Sequence, residues 1–263
     1  MSYRSFGFTL VEMILVIVVM GILATATTSY LGLGARMYAE SSDRDKLLSQ
    51  SRFAVERMVR ELRNVVPNSV RVDASGNCIE FIPLLNAGRY VSIPVTPTTA
   101  AFVDVFSNLP AVEWTVQAND YLTIYPTEPA HIYDPASSRT VRLTGVTNIN
   151  PIRFTFPSKS FPVSSPSNRL YLFRSPVSYC VQGRQLFRYG NYALQALQPV
   201  PASGLTNGVL MAEGLNNPLT IPYFVFDEAV LSRNSVVHLF VSFGSGFNDD
   251  LFFNQEVHIP NVP

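Results

Sequence analysis

The chain opens on an unbroken apolar run and then changes its period twice. From Phe8 to Leu31 the only charge is Glu12, and the other polar side chains carry hydroxyls. As a helix these 24 residues rise about 36 Å, enough to cross a hydrocarbon core of roughly 30 Å with some tilt. No proline precedes Pro67, so nothing in the chain forces the helix to stop at the end of the apolar run. In "KLLSQSRFAVERMVRELRNVV", Leu48, Val55, Met58, Leu62 and Val65 recur at steps of seven, three, four and three, the pattern of one apolar stripe on a helix. Arg52–Glu56, Glu56–Arg60 and Arg57–Glu61 stand four residues apart and are expected to support its solvated faces. Pro67 and Asn68 end it, and Gly32 and Gly34 mark its weak point.

After Pro67 the period becomes two. Short runs rich in Val, Ile, Phe and Tyr alternate with Pro, Gly, Asn and Ser clusters, as in antiparallel β structure. The predicted strands of the first half are Cys78–Ile82, Tyr90–Val95, Tyr121–Tyr125, Val141–Leu143 and Ile152–Phe156. Those of the second half are Leu170–Phe173, Val177–Val181, Gln185–Tyr189, Tyr223–Phe226, Val236–Phe243 and Gln255–Ile259. "SYCVQGRQLFRYG" reads as a hairpin turning at Gln182-Gly183, while Pro157–Pro166 and Pro199–Gly208 read as loops. The expected class is α+β, a long N-terminal helix against an elaborated antiparallel sheet, with no internal repeat.

Composition narrows the function. The 263 residues carry 19 acidic and 19 basic side chains, and a domain that grips nucleic acid normally shows a basic excess. Seventeen of the basic residues are Arg and only Lys46 and Lys159 are Lys, a bias without a physical account. Cys78 and Cys180 form no Cys-x-x-Cys pair: in an oxidising compartment they could join in one long-range bridge, in the cytosol they would be buried thiols.

Candidate chemistry is sparse. His131, His238 and His258 lack the spacing that converges zinc ligands, so no metal cofactor is expected. "GSG" at Gly244–Gly246 lacks a nucleophile elbow and reads as a turn. Asp249 and Asp250, beside Asn248, are a weak calcium candidate, without the alternating acidic loop of an EF-hand. No catalytic constellation stands out, and no cofactor is implied.

Glu12 is the conspicuous residue. A carboxylate at the centre of a membrane helix costs roughly 2.5–3.5 kcal/mol, so such an acid usually has a partner and a function. Near the start of the run it could equally snorkel to the headgroups. The leader separates these readings. Met1 to Gly7 is followed directly by Phe8, Thr9, Leu10, Val11 and Glu12, and this Gly-Phe-Thr-Leu-x-Glu order resembles the processing site of type IV prepilins and pseudopilins. The resemblance implies cleavage by a prepilin peptidase between Gly7 and Phe8 and N-methylation of Phe8. It also implies an assembly role for Glu12, paired with the terminal ammonium of a neighbouring subunit. A buried charge that is costly alone and favourable only in the right stagger acts as a registration device.

The same resemblance implies a leader over residues 1–7, a transmembrane assembly helix over 8–31, its amphipathic continuation over 32–66 and a β-rich periplasmic head over 67–263. Arg36, Arg44 and Lys46 outnumber Arg4, so a bare count of positive charges favours the opposite orientation; the leader outweighs so small a count. The absence of proline in the apolar run and the length of the chain are similar to minor pilins. "SRFAVERMVRELRNVVPNSVRV", "SYCVQGRQLFRY" and "EVHIPNVP" resemble the W/J-type minor pilins, especially the O-type minor pilins of mannose-sensitive haemagglutinin pili. Thr96 to Pro166 carries no resemblance. The implied protein is a non-catalytic subunit that initiates or caps the filament from a Gram-negative inner membrane. Its partners would be the peptidase, the major pilin and other minor pilins. A J-type pseudopilin of type II secretion and a tip adhesin binding surface glycans are the alternatives.

Overall fold

The computed structural model describes residues 7–106, 115–147, 151–228, 234–244 and 251–259. The chain divides into two compact units, one up to Leu48 and one from Ser49 onward. The first helix, α1, spans Leu10–Arg63 and runs without interruption through Gly32 and Gly34. Cooperative hydrogen bonding along a long helix outweighs two glycines at about 1 kcal/mol each. α1 ends before the predicted stop. Val66 N donates to Ile82 O at 2.9 Å and Val65 bridges to Pro83, so the residues ahead of Pro67 have already turned to strand-like pairing.

The head follows. β1 (Arg71–Val72), β2 (Cys78–Phe81), β3 (Asn86–Tyr90) and β4 (Ala100–Phe106) come first. β5 (Tyr121–Ile124), the one-turn helix α2 (Ala130–Tyr133), β6 (Thr140–Arg142), β7 (Gly145–Thr147) and β8 (Ile152–Lys159) succeed them. Then come β9 (Arg169–Phe173), β10 (Val177–Gln182) and β11 (Gln185–Gly190). β12 (Val209–Glu213), β13 (Phe224–Asp227), β14 (Ser235–Phe243) and β15 (Leu251–Ile259) complete the described elements. They form three antiparallel sheets, ordered β1-β2-β10-β11-β12, β13-β14-β15 and β6-β5-β9-β3-β4-β8-β7. The class is α+β with pilin-like architecture, a long helix packed on antiparallel sheet.

In the head, the helix buries Ser51, Ala54, Val55, Met58 and Leu62; of the predicted stripe, Leu48 stays half-buried and Val65 lies beyond the helix end. Its Glu61 flank meets Arg188 of β11, and its Arg52–Val59 flank lies beside Phe253 and Gln255 of β15. Tyr179 and Phe81, stacked at 6.1 Å between centroids, fill the core of the five-stranded sheet. The seven-stranded sheet has its own core around Val103, Leu122, Phe154, Phe161 and Leu170. Val66, Ile82, Tyr133 and Phe173 form a further cluster that joins α1's end to both sheets.

Several expectations are corrected. Of the expected strand Tyr90–Val95 only Tyr90 is in a strand: it ends β3, "NAGRY", where Asn, Ala and Gly have little β-propensity. The ladder there comes from neighbours, since Asn86–Arg89 pair with β9, and a Cβ on Gly88 would lie 2.6 Å from Val105 Cγ1. The segment expected as a loop over 157–166 is partly strand, because β8 continues to Lys159, whose Nζ donates to Ser137 O and Thr140 O at 2.7 and 2.6 Å. The hairpin turns at Gly183-Arg184, one residue later than expected, with Gln182 facing Gln185 and Gly183 at φ +59°. β4, β7, β12 and the two-residue β1 were not predicted. Of the three expected helix pairs only Arg57–Glu61 closes, at 3.0 Å. Arg52–Glu56 and Glu56–Arg60 do not.

Candidate assembly surface

Thr9 begins the helix. Its carbonyl accepts from Met13 N at 3.2 Å and its hydroxyl from Glu12 N at 3.3 Å, an N-cap that satisfies backbone donors at the helix start. Glu12 lies in the first turn, where a negative charge complements the helix dipole. From Leu10 to Leu23 every large apolar side chain on the helix is exposed, on all faces, and Phe8 is 79 % exposed. One 18-residue window in α1 has mean hydropathy 2.4 with none of it buried. The threonine hydroxyls further along are internally satisfied. Thr25 donates to Gly21 O or Ile22 O, Thr27 to Leu23 O or Ala24 O, and Thr28 to Ala24 O at 2.7 Å. A hydroxyl that bonds its own helix carries little desolvation cost into lipid. Glu12 is therefore the one side chain on this surface whose charge a hydrocarbon medium leaves unmet.

The predicted site residues fall into three groups. Gly7, Phe8 and Glu12 are together at the helix start. Cys78 and Cys180 are in register on β2 and β10, Cα atoms 4.2 Å apart, and are joined by a disulfide. Asp249 and Asp250, with the "GSG" turn beyond Gly244, lie outside the described residues, as do residues 1–6 of the leader. Among the described residues no three His, Cys, Asp or Glu converge as a metal site. His131 contacts Glu128 at 3.1 Å, and His238 sits between Asp227 at 3.3 Å and Glu256 at 3.5 Å on the open face of the three-stranded sheet.

A second polar centre escaped sequence reasoning. Glu80 is fully buried on β2, where it accepts from Arg71 Nε and, at 2.9 Å, from Tyr192 Oη. Arg71 also donates to Ala196 O and Gln195 O at 2.7 and 2.8 Å, and lies 3.7 Å over the Tyr133 ring. Burial pushes the Glu80 carboxyl up, while Arg71 and Tyr192 pull it down. Every member is tied to a neighbour, and the loop after β11 is pinned to the sheet. The group is closed and offers no reactive atom to solvent. No spacing in the chain marks it, because its members are 112 residues apart from Glu80 to Tyr192.

Residues 3–28 match the family described as "Prokaryotic N-terminal methylation motif". No curated protein and no solved structure matches the chain. The motif implies processing by a prepilin peptidase, and the apolar helix it opens implies anchoring in a membrane or a pilus. The matched residues, the exposed apolar helix and the α+β head together identify a pilin-like chain, carrying the N-terminal methylation motif typical of type IV pilins and pseudopilins.

Proposed function

We propose that this chain is a minor pilin that initiates or caps a type IV pilus of the mannose-sensitive haemagglutinin kind, without catalytic activity of its own. The carrying observation is a helix that exposes every large apolar side chain from Leu10 to Leu23 and bears a single carboxylate in its first turn, directly behind the Gly7-Phe8 junction. In this reading the peptidase cleaves after Gly7 and methylates Phe8. The helix then leaves the inner membrane among other pilin helices, with Glu12 facing the terminal ammonium of a neighbour. The bilayer supplies no counter-charge, so the staggered assembly is the state in which both ions are paired. The periplasmic head docks beside partner subunits, and its disulfide suits an oxidising compartment. The proline-free anchor and the elaborated head support a minor subunit over a major one.

The test is filament number per cell in a strain deleted for this chain, complemented with the wild-type gene. Loss of filaments on deletion and their return on complementation is expected. Normal filament number in the deletion strain overturns the assembly role.

A further inference from the structure

Six strands end the three sheets, and five are short. β1 has 2 residues, β6 and β7 have 3 each, β13 has 4 and β12 has 5. The sixth, β15, is 9 residues long and among the described residues pairs only with β14, on one side. A long free edge presents a row of unused N–H and C=O groups, and natural sheets usually blunt it with proline, lysine or shortness. "LFFNQEVHI" has no proline and no lysine, and Glu256 is its single acidic or basic residue apart from His258.

Beside this edge runs one flank of α1. Arg52, Glu56, Arg60 and Arg63, spaced by four, four and three, line up on the same side of the helix. With Val59, Phe253 and Gln255 they border a groove of 540 Å³. All four charged residues are exposed, and among the described residues none of the three arginines closes an ion pair. Arg60 and Arg63 also complement the helix C-terminus, which accounts for their sign but not for Arg52. The groove thus sets three cations and one carboxylate around an apolar floor of Val55, Val59 and Phe253, on the strand that ends the three-stranded sheet.

We infer that the β15 edge and this arginine flank form a docking surface for an extended, carboxylate-bearing segment from the head of a neighbouring subunit. The segment adds a strand to β15, its backbone completing the ladder and its acidic side chains meeting Arg52, Arg60 and Arg63. This rests on the reading of the chain as a filament subunit and adds the surface through which its head engages a partner. Backbone pairing supplies adhesion that is indifferent to sequence, and the arginines select for acidic segments.

The test uses the full-length chain in its own membrane, with p-benzoylphenylalanine in place of Gln255 and, in a second strain, in place of Val16 on the anchor. Irradiation is expected to join position 255 to an extended acidic segment of another chain that carries its own N-terminal methylation motif. Arg60→Glu with Arg63→Glu should lower that adduct about ten-fold, at unchanged protein level and with Cys78 and Cys180 still oxidised. An adduct between two copies of this chain, or an adduct indifferent to the charge reversal, overturns the inference. So does no adduct at 255 while the Val16 label captures other pilin helices, an outcome that leaves the filament-subunit reading standing. Absence of helix partners at Val16 as well sinks both.

Discussion

Arg188 of β11 grips Glu61 of α1 with Nε 3.2 Å from one carboxylate oxygen and 3.1 Å from the other, across 127 residues of sequence. Arg57 holds the same carboxylate from within the helix at 3.0 Å. The buried hydroxyl of Tyr179 lies beside this pair, its pKa raised chiefly by burial and further by the charge of Glu61, against the opposing pull of Arg188 and Arg57. Glu61 is thus the polar latch between the helix and the five-stranded sheet. Glu61→Gln is expected to destabilise the head by about 1–3 kcal/mol, since Arg188 is left half-buried without its counter-charge. Urea unfolding of the detergent-solubilised chain reads this directly, and an unchanged midpoint would show that the latch contributes nothing.

The Cys78–Cys180 bridge closes a separation of 102 residues between two paired strands. Its removal by Cys78→Ser with Cys180→Ser should cost about 2–5 kcal/mol, chiefly by freeing the unfolded chain. Thiol labelling of the denatured, unreduced wild type should find no reactive cysteine. Full labelling of both would refute the bridge.

Asp104 and Arg153 face each other across β4 and β8 with two bonds at 2.7 and 2.8 Å. The bond from Arg153 holds the Asp104 carboxyl below its ordinary value of 3.8. A depressed carboxylate stabilises the fold above its unfolded pKa, and that contribution is lost as pH falls through the lower folded pKa. Thermal midpoints taken from pH 6 down to pH 2 should therefore fall more steeply for wild type than for Asp104→Asn. Parallel curves would remove the pair from the acid response.

Processing is read by mass. Protein extracted from a strain with active prepilin peptidase should begin at methylated Phe8, and Gly7→Val should leave the leader attached. An intact leader on the wild-type chain contradicts cleavage between Gly7 and Phe8.

Glu12→Val should insert into the membrane at least as well as wild type, by about 2–3 kcal/mol on insertion energetics, and should still be cleaved. Recruitment into the filament should suffer, with fewer pili at matched protein level. Unchanged pilus number and unchanged co-purification with other subunits would mean that Glu12 merely reaches for the headgroups.

The anchor, its lone carboxylate, the stripe of Val55, Met58 and Leu62, and the α+β class were legible in the sequence. Each is a local pattern: a run, a period, or a motif within a few residues. The β10–β11 hairpin belongs to the same class, since its strands are neighbours along the chain, although its turn falls one residue later than the pattern suggests. The cysteines were visible as a pair, but their pairing depended on β2 and β10 lying in register. Tertiary structure alone decided the rest. β3 forms in "NAGRY" because β9 and β4 offer it a ladder, and Tyr90–Val95 has the better propensity but no such partner on both sides. Glu56 pairs with neither Arg52 nor Arg60, although the spacing allows both, because exposed pairs gain little over hydration. Glu61 pairs with Arg188 as well as Arg57 because the helix packs where water is scarce. The Glu80 cluster and the open edge of β15 depend on strand order, and strand order follows from contacts between residues far apart in the chain, which no local period encodes.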